Sequence, residues 1–319
     1  MSQSGGEEPA LALGAFGLSL LTDADPPGAW ERQSVFAPSL RIRCVEPQAI
    51  AASWSGVDAI GWEGIIDGAP FVAERGIEGD HRFVHGAHPH VDGSLAGETR
   101  AIHRLASDSS LLECSPADPA DQTWWRVVLD SVLFTAALTE GYEALHAGAV
   151  AAQDGVIAIT AATGGGKSTL LTELLRRGLP LFADDVLTLQ HREGSPPLAH
   201  PGPPLMTVPA EIPAAADALI ASVGEEHWIA VPVHHEPLPL NALVVLDRRA
   251  SAQLSLTAID DALAPLLGSL LNYPRSPARQ RARFELAGEL AATTSLWRLT
   301  ADLDTTPAAL ADVLLAGMV

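Results

Sequence analysis

The nine residues 161–169, AATGGGKST, constrain this chain more than any other segment. They follow the apolar run Val156 to Thr160, which reads as a strand, and they open GKSTLLTELLRRG, which reads as a helix ending at Gly178. Three consecutive glycines, Gly164, Gly165 and Gly166, permit a backbone tight enough to turn successive N–H groups inward as an anion nest. Lys167 adds a point charge, Ser168 a hydroxyl, and the helix start the positive end of its dipole. Strand, glycine-rich loop, Lys-Ser and helix are the context of the phosphate-binding pattern G-x-x-x-x-G-K-[S/T]. The expected ligand is a nucleoside triphosphate, with Lys167 on its β- and γ-phosphates and Ser168 on Mg²⁺. The residues assigned to binding it are Thr163, Gly164, Gly165, Gly166, Lys167, Ser168 and Thr169. The first glycine of the pattern is replaced by Ala161, which makes the loop's entry less permissive at one position.

Two further features stand at useful distances from Lys167. Asp184 and Asp185 close the apolar run LPLFADD, and a strand beside such a loop commonly delivers a carboxylate to the metal or its water. Adjacent strand residues point to opposite faces, so one carboxylate can face the metal and the other an incoming hydroxyl. Which does which is open from sequence. His146, in LHAGAV, is expected on the strand that pairs with the loop-bearing strand, at the edge of the phosphate site.

Around this segment, strands and helices alternate, which indicates an α/β layer fold. A helix is expected across Val128, Leu129, Val132, Leu133, Ala136 and Ala137, ending at Gly141. LHAGAVAAQDGVIAITAA reads as two strands joined at Gln153-Asp154-Gly155. Further strands are expected at 205–208 and 240–246, and helices near 210–222, 258–272 and 281–293. Before residue 120, short apolar runs broken by Gly, Pro and Asp read as strands: LALGAFGLSLL, SLRIRCV, WEGIIDGAPFV and HRFVHGAHPHV. ECSPADPADQ reads as a linker. The expected domains are therefore a strand-rich 1–122 and an α/β 123–319. A chain of 319 residues suits one large domain or two of ~100–200 residues.

Composition narrows the partners. The net charge of −20 repels nucleic acid and anionic membranes, so neither is expected. No stretch of ~20 apolar residues escapes interruption, and the acidic start does not resemble a signal peptide, so a cytoplasmic location is expected. Cys44 and Cys114 have no second ligand pair near them, which argues against zinc or a disulfide framework.

Taken together, LHAGAV and GVIAITAATGGGKSTLLTELLRRGLPLFADDVLTL resemble the catalytic domain of the HPr kinase/phosphorylase family, especially its shorter relatives found beside peptide-modification genes. His146, Gly164, Gly166, Lys167, Ser168, Arg177, Gly178, Ala183, Asp184 and Asp185 fit that pattern at matching intervals. The resemblance implies a P-loop kinase domain preceded by a smaller strand-rich domain. It implies an ATP- and Mg²⁺-dependent kinase acting on a serine-like hydroxyl of a protein, peptide or small molecule, with a homo-oligomer among the options. It assigns Asp185 as general base, Asp184 and Ser168 to Mg²⁺, and His146 to the neighbourhood of the transferred phosphate. The family's downstream Glu-Ile-Arg-Gly signature is absent: GPPLMTVPAEIPAAAD offers Glu211 without the Arg and Gly. Phosphorolysis is therefore not expected. The alternative reading is an ATP-binding sensor or peptide-maturation partner that transfers no phosphate. A transport ATPase is disfavoured by the lack of an LSGGQ-like segment.

The remaining clusters carry weaker signals. His85, His88 and His90 are loosely spaced, with no acid or cysteine to complete a metal site, and read as a polar loop, as do His234 and His235. Arg275, Arg279, Arg281 and Arg283 form the densest positive group in an acidic chain. They read either as a phosphate or substrate anchor, with Arg275, Arg279 or Arg281 reaching the nucleotide or acceptor, or as a solvated helix start.

Overall fold

The computed structural model describes residues 10–35, 38–89, 95–153, 155–210, 218–260, 263–273 and 276–318. The chain forms two compact units, residues 1–140 and 141–319.

The first unit is built on a mixed nine-stranded sheet. Hairpins supply most of it. Val57–Ile66 turns into Ala69–Gly76 through Asp67 (φ 49°) and Gly68 (φ 69°), the paired left-handed residues that two-residue hairpins need. Phe71, Phe83, Val84, Leu105 and Leu112 fill its core. The ECSPADPADQ stretch begins inside the Leu111–Pro116 strand, which pairs on both edges. A helical run follows from Trp125 to Thr139, with a π-turn at Val128–Val132, and Gly141 (φ 91°) lies just past its end. Trp124 stacks on His103, and Arg126 lies 3.9 Å from Asp67. These contacts tie the helix to the first unit, so the compact units divide after residue 140. Cys44 and Cys114 face each other in register on neighbouring parallel strands, and both are free thiols.

The second unit is a three-layer α/β arrangement. Its sheet runs Glu143–His146, Val186–Gln190, Leu198–His200, Leu238–Arg248, Gly155–Ala161, Gly148–Ala152, Leu181–Ala183. Ser295–Ala301 also pairs with Leu238–Arg248, in parallel. Gly155–Ala161, Leu238–Arg248 and Ser295–Ala301 are thus three parallel neighbours with a common carboxyl end. Strand alternation divides the core. Ile157 and Ile159 pack with Leu170, Leu171 and Leu174 of the Lys167–Arg176 helix and with Leu310, Ala311 and Leu314 of the Pro307–Met318 helix. Val156 and Ala158 share the opposite core with Leu266 of the Leu263–Ser269 helix, Leu270 just past it, and Leu286 and Leu290 of the neighbouring Pro277–Thr293 helix. Open α/β sheets bind ligands outside the carboxyl ends of such strands.

Two expectations change here. The helix expected near 210–222 is, over its described part, the strand Leu219–Val223. That strand turns at Gly224 (φ 59°) into Glu226–Ile229 and, with Met206–Pro209, makes a three-stranded sheet. A two-residue glycine turn outweighs the helical reading of a short apolar run. His146 ends a strand that pairs with Val186–Gln190, whereas the partner of the loop-bearing strand is the next segment, Gly148–Ala152.

Candidate functional site

The loop leaves the carboxyl end of Gly155–Ala161 and enters the Lys167–Arg176 helix. Gly164 (φ 73°) and Gly166 (φ 91°) are left-handed, and Gly166 is the helix N-cap. Gly165 is required for space: a Cβ there would lie 2.8 Å from the Ala162 carbonyl oxygen and 3.0 Å from the Ala161 methyl. Ala161 is the last residue of an ordinary strand, paired with Leu246, so the missing glycine of the motif introduces no strain. The first N–H groups of a helix lack intrahelical acceptors and face the loop side. Thr163 and Thr169 are exposed beside them, and Ser168 is half-buried. At the other end, Gly178 (φ 90°) donates to Leu175 and Leu179 to Leu174, which closes the helix.

Lys167 is buried, and its Nζ forms an ion pair with Asp185 Oδ1. The two aspartates do not lie along a strand. They form the break between Leu181–Ala183 and Val186–Gln190, with Asp185 in the left-handed region (φ 61°) and Val186 N–H donating to the Asp184 carbonyl at 2.7 Å. Here the alternation argument gives way to a turn: the chain leaves one part of the sheet and joins another between these residues. Aspartate is among the few non-glycine residues that enter the left-handed region readily, and here it makes the turn between the two strands. The Asp185 carbonyl accepts from Ala147 N–H at 2.9 Å, which holds the break beside the end of the His146 strand.

The two carboxylates differ in environment. Asp185 is 60% exposed. Asp184 Oδ2 accepts from Thr207 N–H at 2.8 Å, while Oδ1 is buried without a hydrogen-bond partner. Burial pushes the Asp184 pKa up to about 6; the Asp185 charge adds to this, and Lys167 opposes it. The orphaned, desolvated Asp184 Oδ1 is the kind of oxygen that a divalent cation would complete. The His146 ring reaches solvent, yet neighbouring atoms desolvate it enough to lower its pKa; Asp185 works against that shift and Lys167 with it. The fold therefore gathers the glycine loop, Lys167, both aspartates and His146 into one place.

The arginine cluster resolves differently. Arg279 is bound bidentately by Glu143 at 2.6 and 2.7 Å, on the strand that ends in His146. Arg283 donates to the carbonyls of Leu267 and Leu270 at 2.9 and 2.7 Å. Arg281 is exposed, and Arg275 lies outside the described residues. Arg279 is thus a half-buried cation whose guanidinium is already taken up by the Glu143 carboxylate. The arginine that does approach the loop is Arg248, at the carboxyl end of the parallel neighbour strand. Its Nη1 lies 3.2 Å from where a Cβ on Gly166 would be. The sequence signal was Arg248 just past the expected 240–246 strand, but its meaning depends on which strand lies beside the loop.

The described histidines of FVHGAHPHV have separate settings. His85 Nε2 hydrogen-bonds the Ile66 carbonyl at 3.0 Å, His88 begins a two-residue strand, and His90 lies outside the described residues. No group of three metal-ligating side chains occurs among the described residues. No helix among them is long and apolar enough to cross a membrane.

No protein-family model and no curated protein matches this sequence. Among solved structures, the chain is similar to the Hpr(Ser) kinase/phosphatase from Coxiella burnetii. That match has 13% identity and a TM-score of 0.33, and it covers 55% of this chain and 95% of that one.

Proposed function

We propose that the second unit binds the phosphates of ATP with Mg²⁺ and transfers the terminal phosphoryl group to a serine-like hydroxyl of a protein, peptide or small molecule. The observation that carries this reading is the convergence of a glycine-cradled Lys167 with two aspartates in unlike environments at the carboxyl end of a parallel sheet. The motif resemblance to HPr-kinase-type enzymes supports it.

Lys167 and the loop amides bind and orient the phosphates. Asp184 Oδ1 and the Ser168 hydroxyl would hold a cation, which would neutralise charge on the phosphate oxygens. The Lys167–Asp185 ion pair holds both side chains at the loop before nucleotide arrives. Phosphate takes over Lys167 and releases the exposed Asp185 carboxylate. Asp185 then accepts the proton of the attacking hydroxyl at an Oδ atom. The exposure of Asp185 supports the base role for it, and the desolvation of Asp184 supports the metal role. His146, at the rim, orients the acceptor or the transferred group.

The test is incubation with γ-labelled ATP and Mg²⁺ against HPr, peptides of peptide-modification pathways and free serine. Label should move to one acceptor, and Asp185→Asn should abolish transfer while leaving Mg·ATP bound. Tight Mg·ATP binding with no acceptor labelled across the panel favours an ATP-binding sensor or maturation partner instead. Full transfer by Asp185→Asn refutes the base assignment.

A further inference from the structure

Arg248 has an unusual set of partners. It ends the Leu238–Arg248 strand, two residues beyond the Leu246 that pairs with Ala161. One arm of its guanidinium is anchored: Nη2 donates to the carbonyls of Leu303 and, at 3.1 Å, of Thr305 in the turn before Pro307–Met318. Among the described residues, the rest of the fork makes no hydrogen bond. Nε is buried with no hydrogen-bond partner, and Nη1 faces Gly166. The nearby Asp302 carboxylate is close enough to feel the Arg248 charge, but it accepts its hydrogen bonds from the N–H groups of Ser251 and, at 3.0 Å, Asp304, and no contact ion pair links it to Arg248 among the described residues. A guanidinium carries five donors in a fixed fork suited to phosphoryl oxygens. A half-buried guanidinium with a desolvated, unpartnered Nε beside an anion nest is completed by an anion. Gly166 keeps the gap between them open, because any side chain there would have to displace the Arg248 guanidinium.

We infer that Arg248 is a second cation of the phosphate site, donating from Nη1 to a phosphoryl oxygen of the bound nucleoside triphosphate. The inference rests on the nucleotide reading above. It gives Arg248 the place that the Arg275–Arg283 cluster was expected to fill. It also couples the site to the 302–306 turn, since the arm that holds that turn and the arm that meets phosphate belong to one rigid plane.

The experiment has two arms on the full chain. In the first, calorimetry compares Mg·ATP binding by the wild type, Arg248→Gln and Arg248→Lys, with thermal melts alongside. The expected result is at least ~10-fold weaker binding by Arg248→Gln, with partial recovery in Arg248→Lys, which restores charge but not the fork. In the second, the wild type is modified with phenylglyoxal with and without saturating Mg·ATP, and the labelled arginines are mapped by mass spectrometry. Arg248 should be protected, while the exposed Arg249 next to it should react equally in both samples. Unchanged affinity in a folded Arg248→Gln, or equal Arg248 modification with ATP bound, overturns the inference. If Arg248→Gln does not fold, the protection result decides alone. If the wild type binds no Mg·ATP, the nucleotide reading itself has failed, and Arg248 falls with it.

Discussion

Asp184→Asn should make the metal-free protein more stable and the phosphate site less capable. Burial raises the Asp184 pKa from 3.8 to about 6, so the folded chain favours the neutral acid more than the unfolded chain does. For such a group the folded state binds the extra proton. Stability therefore declines as pH climbs from about 4 to about 6 and stays reduced above that. At ~1.36 kcal/mol per unit, the charged carboxylate costs about 3 kcal/mol at neutral pH. Asparagine removes the charge and keeps an oxygen for Thr207 N–H, but leaves one buried amide group unpartnered, at a cost of about 1–2 kcal/mol. A net gain of about 1–2 kcal/mol remains, or roughly 3–6 °C in a unit of this size. Scanning calorimetry with EDTA at pH 7.5 and pH 4.5 reads it. The variant should melt higher at pH 7.5, and the gap should vanish at pH 4.5, where wild-type Asp184 is protonated. Magnesium should then strengthen ATP binding by the wild type and not by the variant. A variant that melts lower at pH 7.5, or a gap unchanged by pH, refutes the reasoning.

Three other outcomes follow from separate observations. Gly165→Ala drives a methyl into the Ala162 carbonyl at 2.8 Å, and backbone cannot yield as a side chain can; ATP affinity should fall at least ~10-fold by calorimetry while the melt moves little. Arg279→Ala leaves Glu143 buried and unpaired, so denaturant unfolding should show a loss of about 3–5 kcal/mol; unchanged stability with lost ATP affinity would return Arg279 to the phosphate site. His103, buried with both ring nitrogens unpartnered, has its pKa lowered to about 3, so acid should destabilise the first unit from pH ~6.5 downward by about 1.4 kcal/mol per unit. His103→Leu should flatten that slope, and a slope unchanged by the substitution would remove His103 as its source.

What the sequence disclosed and what it hid divide along the range of the physics. The glycine loop, the helix behind it and the Gly178 stop depend on local backbone geometry, and Gly164, Gly166 and Gly178 all take the left-handed conformations their positions imply. The neighbourhood of Lys167 was legible for the same reason: Asp184 and Asp185 follow it by one helix and one short strand. The partners of His146 and Arg279 were not legible. Each depends on strand order: His146 pairs with Val186, and Glu143 lies 136 residues from Arg279. Arg248 was hidden twice over, because its strand lies beside the loop only after a long crossover. The 218–229 hairpin was misread because a short apolar run supports either period, and Gly224 was the one local sign of a turn.

The most direct test of the account is a calorimetric titration of Mg·ATP into the wild-type chain and into Lys167→Ala. The account predicts saturable binding by the wild type, weakened when Mg²⁺ is withdrawn and competed by ADP, and loss of most of that affinity in a folded Lys167→Ala. Absence of binding at millimolar Mg·ATP, or equal binding by Lys167→Ala, would contradict it.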